Sequence, residues 1–312
     1  MKIIFPWIND SDWTKNIFDA LKENYKNAII CIDKDVDFSN GGYLKNKSLT
    51  TYRIIKDRLL DNTKLAIFID SSFIDFRMIK KFYPNCYLIG MINGGEFQDF
   101  GFSYHYDEYQ KTLALEYERT LLSFLDKIIL PSNFGLNQFI NKHPSLKGKS
   151  IYKYLPLDLK ELNNSVNLHS GNRICFSGRP TFEKGFDIIE SLSMEDINID
   201  NIGGQSKSNY YKELREFKYA VFPSREELFG YAVAEAILLG VIPIIPKALS
   251  YSELTSLPYY MKNLSSSSVI ETINSYENLN DTEIKFYLKS NKDRLLAITN
   301  GEHSLLSFLE AI

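Results

Sequence analysis

Four charged side chains in the second half of the sequence are spaced so that they can act together. Arg179 follows Gly178 at the end of the apolar run Ile174-Cys175-Phe176. Lys184 stands five positions later, between Glu183 and Gly185, just ahead of a helical pattern over residues 186–192. A guanidinium is a planar fork and an ammonium a point charge, and the pair suits the two phosphates of a diphosphate. Glu227 and Glu235 come next, with seven residues between them. Each carboxylate accepts two hydroxyl donors in a fixed geometry, so one can hold the vicinal hydroxyls of a ribose while the other reaches those of a second sugar. Taken alone, a Gly-Arg and a Lys-Gly in a loop fit an ordinary surface turn equally well.

The elements that must hold these residues give them context. Residues 173–177 and 219–222 read as buried parallel strands, and ligands of open α/β sheets collect at the carboxyl ends of such strands. A small residue at position 178 lets a phosphate approach the backbone. Gly230 is expected to open a helix running to Leu239-Gly240, with its unpaired N–H groups toward the strand ends, where an anion is favoured. Similar runs occur at 197–202 and 241–245, and in the first half at 3–5, 28–32, 65–69, 87–91, 128–130 and 151–155. Amphipathic stretches such as 51–60 and 113–125 lie between them, an alternation that predicts doubly wound sheets. The pattern restarts after the aperiodic stretch 163–172, so two Rossmann-like domains in tandem are expected. The last segment, 282–312, reads as one or two helices broken near Asn300-Gly301.

These segments resemble the donor-binding domain of retaining GT-B glycosyltransferases, in particular the family 4-like members with a Glu-x7-Glu motif. The shared features are Gly178-Arg179, Glu183-Lys184-Gly185, Pro223-Ser224, Glu227-Leu228-Phe229-Gly230, Glu235-Ala236 and Gly240-Val241-Ile242-Pro243, in the family's order and spacing. The resemblance implies an α/β fold of two Rossmann-like domains facing a central cleft. Residues 1–157 would form the acceptor side and 158–295 the nucleotide-sugar-binding domain, with 296–312 packing back toward the first. It also implies a retaining, metal-independent hexosyltransferase that uses a UDP- or GDP-sugar and a hydroxyl acceptor, with no bound prosthetic group. Arg179 and Lys184 would neutralise the donor diphosphate beside Gly178, and Glu235 would hold the ribose. Glu227 and the backbone of Phe229, Gly230 and Tyr231 would hold the donor sugar. Attack is from the front face, the departing phosphate helping to take the acceptor proton. Positive charge on the leaving group then does the work of a metal. The catalytic residues implied are Glu227, Arg179 and Lys184. After Asn201-Ile202-Gly203-Gly204 the chain is one strand-helix unit shorter than the family pattern, which leaves the choice of base open.

In the first half, the strand at 87–91 runs into Asn93-Gly94-Gly95, where the family often has a histidine. Asn93 can bond a sugar hydroxyl but cannot act as acid or base. Glu96, Asp99 and His105 follow, and with Asn93, Gly94 and Gly95 they are the acceptor-side candidates; a polar surface loop is the plainer reading. Two further features are weighed as decoys. Asp33-Lys34-Asp35 mimics an Asp-x-Asp metal motif, a sequence common on surface turns. Residues 73–83 form a basic amphipathic pattern that fits either packing on a sheet or resting on a membrane surface.

Composition narrows the class further. The chain has 312 residues, 44% of them hydrophobic and 24% charged, as in an ordinary soluble protein. Its three cysteines and four histidines are scattered, which argues against a disulfide framework or a metal cluster and fits a reducing compartment. The start reads as a strand and not a leader peptide, and no run approaches a membrane span. The expected location is the cytoplasm, with peripheral contact at the inner membrane face as a variant. Residues 1–157 hold 21 Lys/Arg against 18 Asp/Glu and the remainder 15 against 21. A mildly basic first half suits an anionic acceptor or surface, though scattered surface charge explains it equally. The acceptors left open are a glycan, a lipid-linked glycan, a small molecule, a protein hydroxyl or a modified nucleobase in DNA. A nucleotide-sugar epimerase or hydrolase on the same fold, and a catalytically silent sugar-nucleotide-binding subunit, are the competing functions.

Overall fold

Short, mostly apolar strands that alternate with helices build two parallel sheets. The computed structural model describes residues 1–8, 13–33, 42–101, 104–157, 162, 173–195 and 197–312. The chain divides into two compact units, Met1–Pro156 and Leu157–Ile312. The aperiodic stretch 163–172 lies outside the described residues, as do Lys34 and Asp35. Among the described residues, no group of three His, Cys, Asp or Glu side chains is placed to hold a metal ion.

The first unit holds strands β1 (Lys2–Trp7), β2 (Ile29–Asp33), β3 (Leu65–Phe68), β4 (Tyr87–Met91), β5 (Lys127–Leu130) and β6 (Ser150–Tyr152). They form one six-stranded sheet in the order β2-β1-β3-β4-β5-β6, and every pair is parallel. Parallel strands covered on both faces must be apolar throughout, and Ile3, Ile4, Phe5, Ile67, Phe68, Ile128 and Ile129 have no exposed surface. The helices are α1 (Trp13–Leu21), α2 (Gly42–Lys56), α3 (Phe76–Phe82), α4 (Glu108–Leu122) and α5 (Asn133–Lys142).

Two of these helices differ from the sequence expectation for local reasons. The pattern over 113–125 suggested a later start for α4. Asp107 accepts from the Gln110 backbone N–H while the Gln110 side chain accepts from the Asp107 N–H, and this capping box starts the helix at Glu108. The pattern over 73–83 splits in two. Ser71–Phe73 is a 3-10 turn, Ile74 is extended, and Asp75 caps α3 by accepting from Met78 N–H. Phe76 and Ile79 are fully buried, so that apolar face packs inside the unit, while Phe82 is exposed. No described helix is long and apolar enough to cross a membrane.

The second unit holds β7 (Ile174–Phe176), β8 (Ile199–Asn201), β9 (Tyr219–Val221) and β10 (Ile242–Ile244). They form a four-stranded parallel sheet in the order β10-β9-β7-β8. Helices α6 (Phe186–Met194), α7 (Lys207–Leu214), α8 (Tyr231–Leu238) and α9 (Tyr251–Leu254) each follow one strand. A single helix, α7, joins β8 to β9, which accounts for the shortness of this half. The core gathers Phe176, Ile188, Leu192, Tyr219, Val221 and Ile244. The chain ends in α10 (Ser266–Glu277), α11 (Asp281–Asn300) and α12 (Leu305–Glu310), with Gly301 closing α11. Residues 296–312 fall in the second unit.

Candidate functional site

Because the four strands of the second unit are parallel, every loop that leaves a strand's carboxyl end emerges at one edge of the sheet. Residues 177–185 leave β7, 202–206 leave β8, 222–230 leave β9 and 245–250 leave β10. The helices α6, α7 and α8 therefore present their N-termini at that edge, where unpaired N–H groups and the helix dipoles favour an anion.

Glycines let these loops come close. Gly185 has φ +72°, and a side chain there would put its Cβ 2.2 Å from the Pro223 carbonyl oxygen, so the β7 and β9 loops touch through bare backbone. Gly230 has φ +93° and starts α8 against the ring of Tyr251. Gly203 lies so close to Gly178 that its Cβ would stand 2.8 Å from the Gly178 carbonyl oxygen. The two contacting loops are also bolted together. Arg225 makes a two-pronged ion pair with Asp187, at 2.7 and 2.8 Å, donates to the Phe182 carbonyl and stacks 3.8 Å over the Phe182 ring. Hydrogen bonds from Arg225 hold the Asp187 carboxyl below the usual aspartate range.

Lys184 and Glu227 meet at the centre of this arrangement, Nζ to Oε2 at 2.9 Å, each about one-fifth exposed. The loop carrying Glu227 is braced from below. Ser250 donates to the carbonyls of Glu227 and Phe229, and Tyr251 donates to Ser224 Oγ at 3.2 Å. Burial, reinforced by the nearby Glu227 charge, pushes the Tyr251 phenol well above its ordinary range, so it remains a neutral donor. Phe229 is buried and packs edge-on to Tyr231 at 4.8 Å. Arg179 is 70% exposed and pairs with Glu183 Oε1 at 3.2 Å, beside the Lys184–Glu227 pair and not in it. Gly178 sits over the Phe176 ring, where a Cβ would clash.

Glu235 is almost wholly buried and has partners that the sequence reading missed. Its Oε1 accepts from Lys207 Nζ at 2.5 Å and from the Tyr211 hydroxyl at 2.9 Å. Lys207 and Tyr211 are four apart in α7, on one helix face, and Lys207 also lies over the Tyr210 and Tyr211 rings. A lysine in the first turn of a helix that follows Gly203-Gly204 was the available signal. Lys207 thus joins Arg179 and Lys184 among the cations at this edge.

Of the first-unit candidates, Gly94, Gly95 and Glu96 lie against Ser72 and Glu118, whereas Asp99 and His105 lie at the surface. Asn93 lies just past β4, and its Oδ1 is buried without a partner among the described residues. The Gly94 carbonyl accepts from Ser72, and Gly95 N–H donates to Gln98. A Cβ on Gly95 would collide with Glu118 Oε1. Glu96 N–H donates to that same oxygen at 2.9 Å. Asp99 pairs with Lys142 on the surface, and His105 is exposed against Tyr104. The residues missed are Glu118 and His143: His143 is fully buried, with Nε2 2.7 Å from Glu118 Oε2.

No family model matches the sequence, and no curated protein is detectably similar to it. Solved structures are similar. Sucrose-phosphate synthase from Thermosynechococcus elongatus matches at 13% identity over 100% of this chain and 98% of that one, with a TM-score of 0.72. A trehalose-6-phosphate synthase studied for glycosyl transfer with retention matches at 12% identity over 100% and 99%, with a TM-score of 0.69. Anabaena HepE, solved with UDP-glucose, matches at 12% identity over 100% and 98%, with a TM-score of 0.66. The fold class is GT-B. Within that fold, the Lys184–Glu227 pair and the Glu235 cluster lie at the carboxyl edge of the second unit's sheet.

Proposed function

We propose that this chain is a glycosyltransferase that moves a hexose from a nucleoside-diphosphate sugar to a hydroxyl acceptor, with retention of anomeric configuration and without a metal. The observation that carries the reading is the Lys184–Glu227 ion pair, held at the carboxyl edge of a parallel sheet among three helix N-termini. In this reading Lys184 turns from Glu227 to the donor diphosphate, and exposed Arg179 swings in beside it. Glu227, released, takes hydroxyls of the donor sugar, and Gly230 leaves the start of α8 open to it. Glu235, with Lys207 and Tyr211, forms the ribose end. The C1–O bond to the diphosphate breaks as the acceptor oxygen bonds to C1 on the same face, and the acceptor proton passes to a departing phosphate oxygen. Lysine and arginine charge on that leaving group, at a helix-lined edge, supplies the stabilisation. The solved complex of HepE with UDP-glucose, on the same fold, supports a UDP-sugar as the first donor to try; GDP-sugars are the alternative.

The test is nucleoside diphosphate release from UDP-glucose and from GDP-mannose, with and without mixed saccharide acceptors. Lys184→Ala and Glu227→Ala are expected to lose at least about a hundredfold in rate, since donors to a developing charge are commonly worth that much. Both should remain folded, because a pair that is one-fifth exposed lies between the roughly 1 kcal/mol of exposed pairs and the loss of about 3 kcal/mol on breaking fully buried ones. EDTA should leave the wild-type rate unchanged. Full activity in both variants would overturn the site, and strong inhibition by EDTA would overturn the metal-free reading. Acceptor-independent turnover at the full rate would favour the hydrolase or epimerase.

A further inference from the structure

The first unit contains a pocket of about 170 Å³ that the donor chemistry does not use. Its mouth lies at the carboxyl ends of β3 and β4. One wall comes from the turn after β3, with Ser71 and Ser72; another comes from Glu96; α4 closes the remaining side with Tyr117 and Glu118, and Tyr106 stands just before that helix. Ile74, Ile92 and Leu121 provide the apolar floor.

The site is built and not incidental. Asp70 holds a left-handed backbone, φ +68°, which a non-glycine residue adopts at a cost. Its carboxylate accepts from Trp7 Nε1 and from the Ser72 N–H, and this fixes the turn that carries both serines. Ser71 is 3% exposed, and its hydroxyl has no protein partner among the described residues. A buried hydroxyl left unsatisfied is costly; Ser71 lines the pocket, with its hydroxyl lying against Gly90. Glu118 is locked by the Glu96 N–H on one oxygen and by His143 on the other. The Nδ1 of His143 is buried without a hydrogen-bond partner among the described residues, so the Nε2 contact with Glu118 is what orients the ring. Tyr106 and Tyr117, by contrast, are 43% and 49% exposed at the mouth. Flat rings with a polar tip suit a ligand that is apolar on one face and wet on its edge.

Among the described residues, the lining includes two carboxylates and no lysine, arginine or histidine. A phosphate or carboxylate ligand would meet repulsion there. Hydroxyl donors are what carboxylates and serine oxygens take, and the apolar floor suits the C–H face of a ring. We infer that this pocket binds an uncharged pyranose unit, with Glu118 and the Ser71–Ser72 turn taking its hydroxyls and the two tyrosines covering its faces. As a role, acceptor recognition, this rests on the transferase reading; as a binding site it does not.

The probes are the methyl glycosides of glucose, galactose, mannose and N-acetylglucosamine, with glucose 6-phosphate as the charged comparison. Binding to the full chain is followed by ligand-observed NMR, and the thermal shift given by UDP-glucose and GDP-mannose is measured on the same samples. At least one neutral glycoside is expected to bind saturably, and glucose 6-phosphate at least about tenfold more weakly. Glu118→Gln, nearly isosteric, should weaken glycoside binding about tenfold, the usual worth of a bond to a charged acceptor. Tyr117→Ala, which truncates a half-exposed ring, replaces it if that variant does not fold. Absence of saturable glycoside binding, tighter binding of glucose 6-phosphate, or unchanged binding in the variant would each overturn the inference. A chain that responds to a nucleotide sugar but to no glycoside loses the pocket and keeps the transferase. One that binds the glycoside through Glu118 but no nucleotide sugar does the reverse.

Discussion

At the scale of single residues, the site is a set of charges whose partners decide what each can do. Lys184 and Glu227 neutralise one another in a position that keeps about one-fifth of each side chain exposed. Glu235 is different: with its side chain 2% exposed, it depends on Lys207. Removing one partner of a buried pair leaves an uncompensated charge, commonly at a cost of about 3 kcal/mol or more. Lys207→Met is therefore expected to lower unfolding free energy by about 3 kcal/mol in urea titrations, and adding Glu235→Gln should recover part of that loss. A Lys207→Met chain as stable as wild type would show the pair to be incidental. All four charges named from sequence lie in the second unit's loops or α8, because residue type and spacing are what a sequence displays directly. The partner of Glu235 was hidden because it comes from another helix, and a contact across 28 positions leaves no local pattern. The same holds for Glu118 and His143, 25 positions apart. Asp99 and His105 were legible as polar residues near a strand end, yet a polar loop displays its side chains to solvent as readily as to a ligand.

At the scale of elements, the strands were plain in the sequence. Runs such as Ile128-Ile129-Leu130 must be buried on both faces, and only a parallel sheet buries them so. Helix starts were less plain: α4 begins where Asp107 and Gln110 close a capping box, ahead of the first periodic leucine. The loops obey tighter rules. Gly185 combines a left-handed backbone with contact to Pro223, so Gly185→Ala should destabilise the second unit by about 1–3 kcal/mol. Denaturant unfolding checks this, and a neutral result would mean the two loops are free to separate. The Arg225–Asp187 clamp makes a prediction in pH. The folded pKa of Asp187 is depressed, so its contribution is present above the ordinary aspartate range and is lost as pH falls through the lower folded value. Stability of the wild type should thus fall more steeply on acidification than that of Asp187→Asn; parallel curves would exclude the clamp as a contributor.

At the scale of the molecule, the two units are alike in construction and different in charge chemistry. The second gathers cations, glycines and helix N-termini at one sheet edge, and the first offers carboxylates, hydroxyls and tyrosines around a pocket. That division matches a diphosphate donor and a neutral sugar. The most direct measurement of the central claim is a thermal-shift panel of UDP-glucose, GDP-mannose and ADP-glucose against the wild type and Lys184→Ala. A ligand at about a hundred times its dissociation constant stabilises the folded state by about 2.7 kcal/mol, enough to raise the midpoint by several degrees. The account predicts that at least one of the three does so in the wild type and that the rise disappears in Lys184→Ala. No shift from any of them at millimolar concentration, or an equal shift in the variant, would contradict it.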